Sequence, residues 1–435
     1  MLNRKVIKSL EKWYESANKK AALLTGARQV GKTTAIREFA KRHYRHFVEV
    51  NFVKRPVARQ AFDGDLDTTT IVANLSAMGF GPFIEKETLV FFDEIQECPN
   101  ARTAIKFLVE EHRYDFIESG SLLGINYKEV PSYPVGFEQE FSLFPLDFEE
   151  FLWAKGIGED TVALLRQAFE KQSPLPEFIH DQISKYFREY LVVGGMPEVV
   201  QTYVDHDDFG LTMEAQRSIL TTYRSDISKY AGKDQTLVKR VFDAIPSELG
   251  KQDKRFVLAD IERGASRRKY EDPTQWLIDA GIAYYSFNTS AFELPFEATE
   301  NRKLYKLYMV DTGLLSRMLL KGLQFNVMRG EMDINEGALA ENSVACAMSA
   351  NAIPLHYYDR KSKQELDFII KENEAISIVE VKSGDDFKRH ASLDAAIRAH
   401  KEKIGRSIVL CKSNVFEEDS IVYLPLYMAM FLNAG

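Results

Sequence analysis

Residues 26–33 combine two glycines, a lysine and a threonine at a spacing that suits the binding of a phosphate chain. They read Gly-Ala-Arg-Gln-Val-Gly-Lys-Thr, which fits the pattern G-x-x-x-x-G-K-[ST]. The glycines let the backbone wrap tightly, so that several N–H groups point at one anion. Lys32 adds a mobile positive charge for the β- and γ-phosphates, and Thr33 offers a hydroxyl to Mg²⁺. The segment therefore predicts a site for ATP and Mg²⁺.

The neighbouring elements are those that such a site requires. Residues 21–24 form a short apolar run typical of a strand, and residues 33–43 have the spacing of an amphipathic helix. A helix that begins here directs the positive end of its dipole at the phosphates. The alternative is a glycine-rich turn that matches the pattern by chance. The residues expected to bind the nucleotide are Gly26, Ala27, Arg28, Gln29, Val30, Gly31, Lys32, Thr33, Thr34 and Asp93.

A second motif, residues 89–94, joins four apolar residues to two acids. Asp93 at the tip of the predicted strand would hold Mg²⁺ through water, and Glu94 would polarise the attacking water. Phosphoryl transfer depends mainly on positioning and charge stabilisation, which these residue types supply. Taken alone, the pair could also be an acidic helix cap after a buried strand. Its combination with residues 26–33 favours catalytic roles for Glu94 and Lys32.

The strand predicted at residues 114–118 leads into Ser119-Gly120-Ser121. A hydroxyl at the tip of a strand beside Asp93 could sense the γ-phosphate or hold the attacking water. A helix cap or a tight turn explains the same residues equally well.

Alternating strands and helices indicate an α/β fold with a parallel sheet covered on both faces. Four domains are expected: a nucleotide-binding domain at 1–154, a helical lid at 155–240, a winged-helix-like domain at 241–325 and a mixed α/β domain at 326–435. The strands are expected at 21–24, 47–52, 89–92, 114–118, 282–287, 304–310, 365–370, 376–382 and 407–410.

Several stretches together resemble the prokaryotic AAA-type ATPases that carry a C-terminal domain of unknown function with a nuclease-like fold. The stretches are TGARQVGKTT, LVFFDEIQECP, ESGSLLG, FPLDFEEFL, YLVVGGMPEVV, KLYMVDTGLL and ELDFII followed by ISIVEVKSG. The resemblance covers residues 20–435. It implies the usual P-loop roles for Lys32, Thr33, Asp93 and Glu94, with Ser121 as the sensor residue, and it suggests assembly of a homo-oligomer.

The chain departs from this family at one place. Family members often carry Gly-Arg before the Pro-Leu-x-Phe-x-Glu-Phe motif, whereas this chain has Gly136-Phe137-Glu138. A charge-stabilising arginine is therefore unassigned. The candidates are Arg113, Arg188 and Arg224.

Residues 254–287 fit two short helices around a Gly264 turn, a further helix and strands, which is the pattern of a winged helix. Between Lys251 and Lys269 the segment has seven basic and three acidic residues, a local charge of +4 in a chain of −8. Such a patch can neutralise phosphates, so it predicts contact with double-stranded DNA. The alternatives are a solvated helical face or a protein-binding surface.

In the C-terminal region, Asp367 and the pair Glu380 and Lys382 lie on adjacent predicted strands. Because strand side chains alternate, Glu380 and Lys382 share a face. This D…E-x-K arrangement resembles that of PD-(D/E)XK nucleases, in which two acids bind Mg²⁺ beside an attacking water. Glu341, on the preceding helix, fits the accessory acid of that fold. The alternative is a structural ion pair in which Lys382 neutralises the two acids.

The bulk composition excludes several classes of protein. The net charge of −8 argues against a surface that binds nucleic acid throughout, and three distant cysteines argue against a disulfide framework or a cysteine zinc site. There is no secretory signal pattern and no apolar run of membrane-spanning length, so a cytoplasmic protein without a membrane partner is expected.

Three hypotheses for function follow. The first is an AAA-type ATPase that works as a DNA-associated switch or motor. The second is an ATP-regulated, Mg²⁺-dependent nuclease. The third is a signalling ATPase whose nuclease-like domain only docks partners.

Overall fold

A computed structural model describes residues 2–120, 132–330, 336–360 and 364–433. The chain divides into two units. The N-terminal unit is formed by Arg4–Phe144 with Asp279–Gly281, and the C-terminal unit mainly by Pro145–Ile278 and Ile282–Gly435.

The N-terminal unit is built on a parallel sheet with the strand order β2-β3-β4-β1-β5. Its strands are β1 (Ala21–Thr25), β2 (His46–Asn51), β3 (Thr88–Asp93), β4 (Asp115–Ser119) and β5 (Glu138–Ser142). Its α-helices in the described residues are α1 (Lys5–Tyr14), α2 (Lys32–His43), α3 (Thr68–Ala77) and α4 (Pro99–Glu110). The predicted parallel sheet is therefore confirmed.

Apolar sequence explains where these strands lie. Every residue of β3 is buried, as expected for a central strand of a sheet that is covered on both faces. One face packs Val90 and Phe92 against α4 through Ala104 and Ile105. On the helical layer formed by α1 and α2, the ring centroids of Trp13 and Phe39 lie 6.1 Å apart.

The register of the parallel strands brings their carboxyl ends together. Asn51 of β2 pairs with Asp93 of β3, and Asp93 pairs with Ser119 of β4. Leu24 of β1 pairs with Ser119. The residues that follow these strands therefore gather at one edge of the sheet, where ligands of open α/β sheets usually bind.

The C-terminal unit contains an eight-stranded mixed sheet with the order β12-β13-β11-β10-β9-β8-β6-β7. Its strands are β6 (Ala283–Thr289), β7 (Glu300–Met309), β8 (His356–Asp359), β9 (Glu365–Glu372), β10 (Ala375–Val381), β11 (Ile404–Cys411), β12 (Phe416–Glu418) and β13 (Ile421–Pro425). The short 3-10 turn Leu426–Phe431 follows the last strand and is buried.

The α-helices of this unit fall into a mostly helical first half and a few helices between the strands. They are α5 (Phe148–Ala154), α6 (Glu159–Lys171), α7 (Glu177–Val193), α8 (Pro197–His206), α9 (Phe209–Tyr230), α10 (Gln235–Leu249), α11 (Leu258–Ile261), α12 (Arg267–Asp279), α13 (Thr312–Leu320), α14 (Gln324–Arg329), α15 (Glu336–Ala350) and α16 (Ala391–His400).

Strands predicted in two different domains share this one sheet. The strands β6 and β7 form an antiparallel pair, and β6 pairs in parallel with β8. The sequence pattern predicts β6 and β7 within a winged-helix-like domain at 241–325, whereas β8 lies in the range of the domain predicted at 326–435. The four-domain division and the winged helix remain predictions, with the strands of the third and fourth predicted domains joined in one sheet.

Candidate functional site

The loop between β1 and α2 has the backbone that the glycine spacing predicts. Gly26 and Gly31 have φ angles of +136° and +95°, in a region that side chains rarely tolerate. A Cβ on Gly26 would also lie 2.1 Å from the carbonyl oxygen of Leu143. The helix α2 begins at Lys32, directly after the loop, so its free N–H groups face the loop. This geometry is that of an anion-binding loop.

Lys32 is held inside this loop. Its Nζ donates hydrogen bonds to the carbonyl oxygens of Gly26 and Ala27, both at 2.8 Å, and the residue is 8% exposed. Burial lowers the pKa of Lys32 to about 8, although the charges of Glu94 and Asp93 oppose this change. The ammonium group is thus fixed over the glycine loop by two neutral acceptors, which an anionic oxygen could replace.

Asp93 is bound by residues from three other elements. Its Oδ1 accepts a hydrogen bond from Ser119 Oγ at 2.6 Å, and its Oδ2 accepts one from Asn51 Nδ2 at 2.7 Å. Thr33 Oγ1, at the start of α2, donates to Asp93 Oδ1 at 3.3 Å. The carboxylate of Asp93 therefore connects the ends of three strands with the phosphate-binding helix.

The sequence predicts a hydroxyl from residues 119–121 beside Asp93, and the Ser119 hydroxyl contacts the Asp93 carboxylate. Ser121, the predicted sensor residue, lies outside the residues that the structure describes. Asn51 was missed, although a polar residue at the end of the strand predicted at 47–52 was a usable signal.

Glu94 follows Asp93 in a left-handed conformation, with a φ angle of +55°. Its Oε2 accepts a hydrogen bond from Gln96 Nε2. A non-glycine residue with this backbone is uncommon. Gln96 was not singled out from the sequence, because its contact with Glu94 depends on this local turn.

The three candidates for a charge-stabilising arginine differ in where they lie in the fold. Arg113 donates to Glu85 at 2.8 Å and to Thr69 at 2.9 Å, and it lies just before β4. That is the opposite end of the strand from Ser119, so Arg113 cannot serve the nucleotide loop of its own chain. Arg188 and Arg224 belong to the C-terminal unit, where Arg224 pairs with Asp243 at 2.8 Å.

The resemblance implies an arginine near Gly136-Phe137-Glu138, but the acid at position 138 is already paired. Glu138 accepts two hydrogen bonds from Arg102, each at 3.2 Å. Glu118 is buried beside this pair, and burial together with the charge of Glu138 raises its pKa well above the ordinary value. Glu138 and Arg102 form a buried ion pair at the edge of the sheet and give no free cation to the loop.

The donor set around Asp93 fits Mg²⁺. Thr33 and Asp93 present a hydroxyl and a carboxylate, which are the hard oxygen ligands that Mg²⁺ prefers. Within the described ranges, no group of three or more His, Cys, Asp or Glu residues is arranged to hold a metal ion by itself. Mg²⁺ in nucleotide sites usually takes only one or two protein ligands, with phosphates and waters as the rest.

The C-terminal acids also come close to one another. Asp367 lies on β9, Glu380 on β10 and Glu341 on α15. Burial raises the pKa of Asp367, and the charge of Glu341 raises it further. Burial and the charge of Asp367 raise the pKa of Glu380 to about 7. The charge of Glu341 therefore acts on Asp367, and the charge of Asp367 acts on Glu380.

Lysines already neutralise these acids. Glu341 Oε1 accepts from Lys306 Nζ at 3.1 Å and from Tyr308 Oη at 2.5 Å, and its Oε2 accepts from Lys254. Burial raises the pKa of Glu341, but the charges of Lys254 and Lys306 outweigh it and lower the pKa to about 2. Sequence reasoning missed Lys254, Lys306 and Tyr308, which come from outside the D…E-x-K pattern.

Two further contacts complete this group. Lys382 Nζ lies 2.9 Å from Glu380 Oε2, and Asp367 Oδ2 accepts the backbone N–H of Val381 at 2.9 Å. In this arrangement the acids are partnered by ammonium groups and a backbone donor, so the side chains as they stand do not fit a metal ion. The metal and catalytic roles of Asp367, Glu380, Lys382 and Glu341 stay predictions.

The basic side chains of residues 251–269 pair with acidic residues from outside this segment as well as with those inside it. Five of its seven basic side chains form ion pairs. The pairs are Lys251 with Glu248 and Asp260, Lys254 with Glu341, Arg255 with Asp253 and Asp359, Arg267 with Glu271, and Lys269 with Glu262. Seven acids face seven basic residues, so the local charge of +4 counted along the sequence does not describe the folded surface.

Three family models match separate parts of the chain. Residues 18–152 match the AAA domain, residues 184–324 a domain of unknown function, DUF8612, and residues 336–428 another domain of unknown function, DUF4143. The first match covers the glycine loop, Lys32, Asp93 and Glu94. Residues 18–152 of the chain therefore form an AAA domain, as the resemblance implied, and the C-terminal match is consistent with that family.

Solved structures give distant matches. A Walker-type ATPase of Pyrococcus abyssi is 14% identical, with 73% of this chain and 96% of that chain covered and a TM-score of 0.44. The RuvB Holliday junction branch migration motor of Thermotoga maritima is 15% identical, with 65% and 89% covered and a TM-score of 0.28. The Orc1 protein of Aeropyrum pernix in complex with DNA is 13% identical, with 74% and 92% covered and a TM-score of 0.28.

No curated protein matches the sequence. Among the helices of the described residues, none is long and apolar enough to cross a membrane.

Proposed function

We propose that the protein binds ATP with Mg²⁺ at the loop 26–33, hydrolyses it, and uses the cycle as a molecular switch. The observation that carries this proposal is the set of contacts at Asp93. One carboxylate links Thr33, at the start of the phosphate-binding helix, to Ser119 and Asn51 at the ends of the neighbouring strands. A change at the phosphates would therefore reach three strands through one side chain.

Each residue has a separate part in this proposal. Lys32 exchanges the carbonyl oxygens of Gly26 and Ala27 for phosphate oxygens and stabilises the charge that develops on the transferred group. The bound Mg²⁺ supplies further neutralisation of the phosphates, with Thr33 and Asp93 as the residues that would hold it. Glu94 orients and polarises the attacking water. Gln96 positions the Glu94 carboxylate through their hydrogen bond.

The test is ATP hydrolysis by the purified protein in Mg²⁺, comparing the wild type with Glu94→Gln. The expected result is that nucleotide binding persists while turnover falls by at least about a hundredfold, the size typical of losing a general base. Glu97→Gln is the matched control, because it makes the same change three residues away in a side chain that pairs with Arg59. Equal turnover in Glu94→Gln and Glu97→Gln would refute the assignment of Glu94.

We propose double-stranded DNA as the first candidate partner of this switch. Residues 251–269 would form the contact. Arg263 and Arg268 are exposed, and the ion pairs of Lys251, Arg267 and Lys269 involve partly exposed side chains. Exposed ion pairs are worth only about 0–1 kcal/mol, so phosphates could replace their acidic partners at small cost. Double-stranded DNA should then stimulate ATP turnover, and replacing both Arg263 and Arg268 by Gln should reduce the stimulation.

One observation favours a protein partner instead. The equal numbers of acids and basic side chains around residues 251–269 give a mixed surface, which suits a protein interface better than a phosphate backbone. In that case ATP turnover is indifferent to DNA, and DNA affinity stays undetectable even at low salt. The same hydrolysis assay, run with and without DNA, decides between the two partners.

The nuclease alternative rests on Asp367 of β9, Glu380 of the adjacent strand β10, and Lys382, which directly follows β10. Its test is cleavage of DNA in Mg²⁺ by the wild type and by an Asp367→Ala/Lys382→Ala double variant. Cleavage that disappears in the double variant supports this activity. Equal trace cleavage by both proteins would assign it to contamination.

A further inference from the structure

An arginine from outside the matched AAA domain is bound to the nucleotide loop. Arg4 directly precedes α1, whereas the match to the AAA domain begins at residue 18. Its Nη1 donates a hydrogen bond to the carbonyl oxygen of Val30 at 2.8 Å, and its Nη2 donates one to the carbonyl oxygen of Phe144 at 2.6 Å. One guanidinium group therefore joins the loop 26–33 to the chain segment that follows β5.

The segment after β5 is attached to this loop at two places. The backbone N–H of Leu143 donates to the carbonyl oxygen of Thr25 at 2.8 Å, directly before the loop begins. Phe144 is joined through Arg4 to Val30, near the end of the loop. A guanidinium group is planar and carries its N–H donors in a fixed fork, so it can hold two carbonyl oxygens at a set separation. Arg4 thus supplies the second attachment.

The contact with Val30 fixes the direction of a backbone N–H group. Val30 is fully buried, so its carbonyl oxygen requires a donor, and Arg4 provides one. The Val30–Gly31 peptide bond is trans and planar, so its carbonyl oxygen and its N–H point in opposite directions. The N–H of Gly31 therefore points away from Arg4. Gly31 comes directly before α2, at the end of the helix where free N–H groups bind anions.

We propose that Arg4 is a positioning residue of the ATP site, which orients the N–H of Gly31 towards the phosphates before the nucleotide arrives. The inference rests on the proposed binding of ATP at the loop 26–33, but it does not require hydrolysis. A donor that is already oriented binds more tightly, because less conformational freedom is lost on binding. Arg4 acts only through the Val30–Gly31 peptide and contacts no reacting atom.

This role predicts a particular pattern of effects. Backbone N–H groups of such a loop bind the α- and β-phosphates, which ATP and ADP share. Loss of the Arg4 contact should therefore weaken both nucleotides alike. An interaction that is equal in the bound substrate and in the transition state changes KM but leaves kcat unaltered.

The test measures binding of fluorescent ATP and ADP analogues to the full-length protein, together with KM and kcat for ATP hydrolysis. Arg4→Lys keeps the positive charge but loses the fork of donors. We expect it to weaken both nucleotides and to raise KM by about tenfold, the order of one hydrogen bond to a charged group, with kcat unchanged within about twofold. Arg55→Lys is the matched control, because Arg55 donates to the carbonyl oxygen of Met78 at 2.8 Å, outside the loop.

A second variant separates positioning from folding. Arg4 is half-buried, so guanidinium ion at a non-denaturing concentration can reach the space that Arg4→Ala leaves. We expect guanidinium ion to restore part of the ADP affinity of Arg4→Ala, whereas sodium chloride at the same concentration should not. Arg4→Lys remains the test if Arg4→Ala does not fold.

The outcomes distinguish this inference from the proposed function. Equal nucleotide affinities of the wild type and Arg4→Lys would overturn the inference and leave the proposed function intact. A loss of affinity that guanidinium ion does not restore in folded Arg4→Ala, together with a lower thermal midpoint, would assign Arg4 a structural role and overturn the inference as well. A wild type that binds neither nucleotide would refute the proposed function itself, and the inference with it.

Discussion

The carboxylate of Asp311 accepts the backbone N–H of Gly195 at 2.6 Å, across a sequence separation of 116 residues. Its other oxygen accepts the N–H of Leu314 at 2.8 Å and so caps α13. A Cβ on Gly194 would lie 2.4 Å from the same carboxylate. One buried acid therefore fixes the glycine turn between α7 and α8 against the start of α13.

We expect Asp311→Asn to destabilise the protein by about 1–3 kcal/mol, the cost of leaving a buried donor unsatisfied. An asparagine amide keeps one acceptor but turns an N–H₂ group towards a backbone N–H. Denaturant unfolding of the two proteins measures the difference. Asp205→Asn is the control, because Asp205 is exposed and accepts only from the nearby Gln201 among the contacts seen. A destabilisation no larger than that of the control would show that the turn does not depend on Asp311.

The pH dependence of stability provides a second test of the Asp311 contact. Burial raises the pKa of Asp311 to about 6 from an ordinary value of 3.8, although several backbone N–H groups oppose the rise. The folded state therefore binds more protons than the unfolded state between about pH 4 and pH 6. The contribution of Asp311 to stability is largest below pH 4 and falls as the pH rises to 6. Asp311→Asn should lack this component of the pH profile.

The lowered pKa of Lys32 predicts how ATP affinity changes with pH. Because burial brings this pKa to about 8, the ammonium group is charged at pH 7 and largely neutral at pH 9.5 in the nucleotide-free protein. Deprotonation removes the charge that pairs with the phosphates, so affinity should fall by about tenfold for each pH unit above 8, until the pKa of the bound state is reached. Titration with a fluorescent ATP analogue at several pH values measures the effect.

The control for this profile is Lys32→Ala, which should bind ATP weakly and without the same decline. A wild-type affinity that stays constant from pH 7 to 9.5 would mean that Lys32 is not the titrating group at the phosphates.

Ser119→Ala tests whether the hydrogen bond to Asp93 prepares the metal ligand. Without the 2.6 Å contact from Ser119, Asp93 loses one of the donors that fix its orientation. We expect a higher Mg²⁺ requirement for hydrolysis and a turnover lower by roughly tenfold, the range typical of losing an outer-shell partner of a metal ligand. Ser76→Ala, on the exposed face of α3, is the control. A purely structural role for Ser119 would lower stability but leave the Mg²⁺ dependence unchanged.

Local patterns predicted the loop and most of the strands, but they missed β5, β8 and β12 and gave no side-chain partners across the sheet. The glycine spacing at 26–33 and the apolar run before Asp93 each lie within one short segment, so their meaning can be read without the fold. Asn51 contacts Asp93 only because the register of β2 and β3 aligns them.

The same reason explains what was missed in the C-terminal unit. Lys254 and Lys306 reach Glu341 across separations of 87 and 35 residues. The charge of +4 at residues 251–269 failed to describe the surface because distant acids, such as Glu341 and Asp359, fold against it. Charge counted along a sequence includes only neighbours in the chain, and these acids are neighbours only in space.

Gly26→Ala, compared with Gly64→Ala, distinguishes two reasons for a glycine in the nucleotide loop. One is the positive φ angle, and the other is the close approach of the Leu143 backbone. Gly26 has a φ angle of +136°, and a Cβ there would lie 2.1 Å from the Leu143 carbonyl oxygen. Gly64 has a φ angle of +111° but nothing within 4 Å of its Cβ position. Both alanine variants therefore carry backbone strain of about 1–3 kcal/mol, while only Gly26→Ala also forces two backbone segments apart.

We expect Gly26→Ala to abolish detectable ATP binding and to lower the thermal midpoint more than Gly64→Ala does, with Gly64→Ala retaining ATP binding. Calorimetric unfolding and fluorescent nucleotide titration measure the two effects. Because Leu143 follows β5, the strand that pairs with β1, the displaced backbone would belong to the same sheet edge that presents the loop. Near-normal ATP binding by Gly26→Ala would mean that the loop tolerates a shift of Leu143, and that its shape does not depend on this close approach.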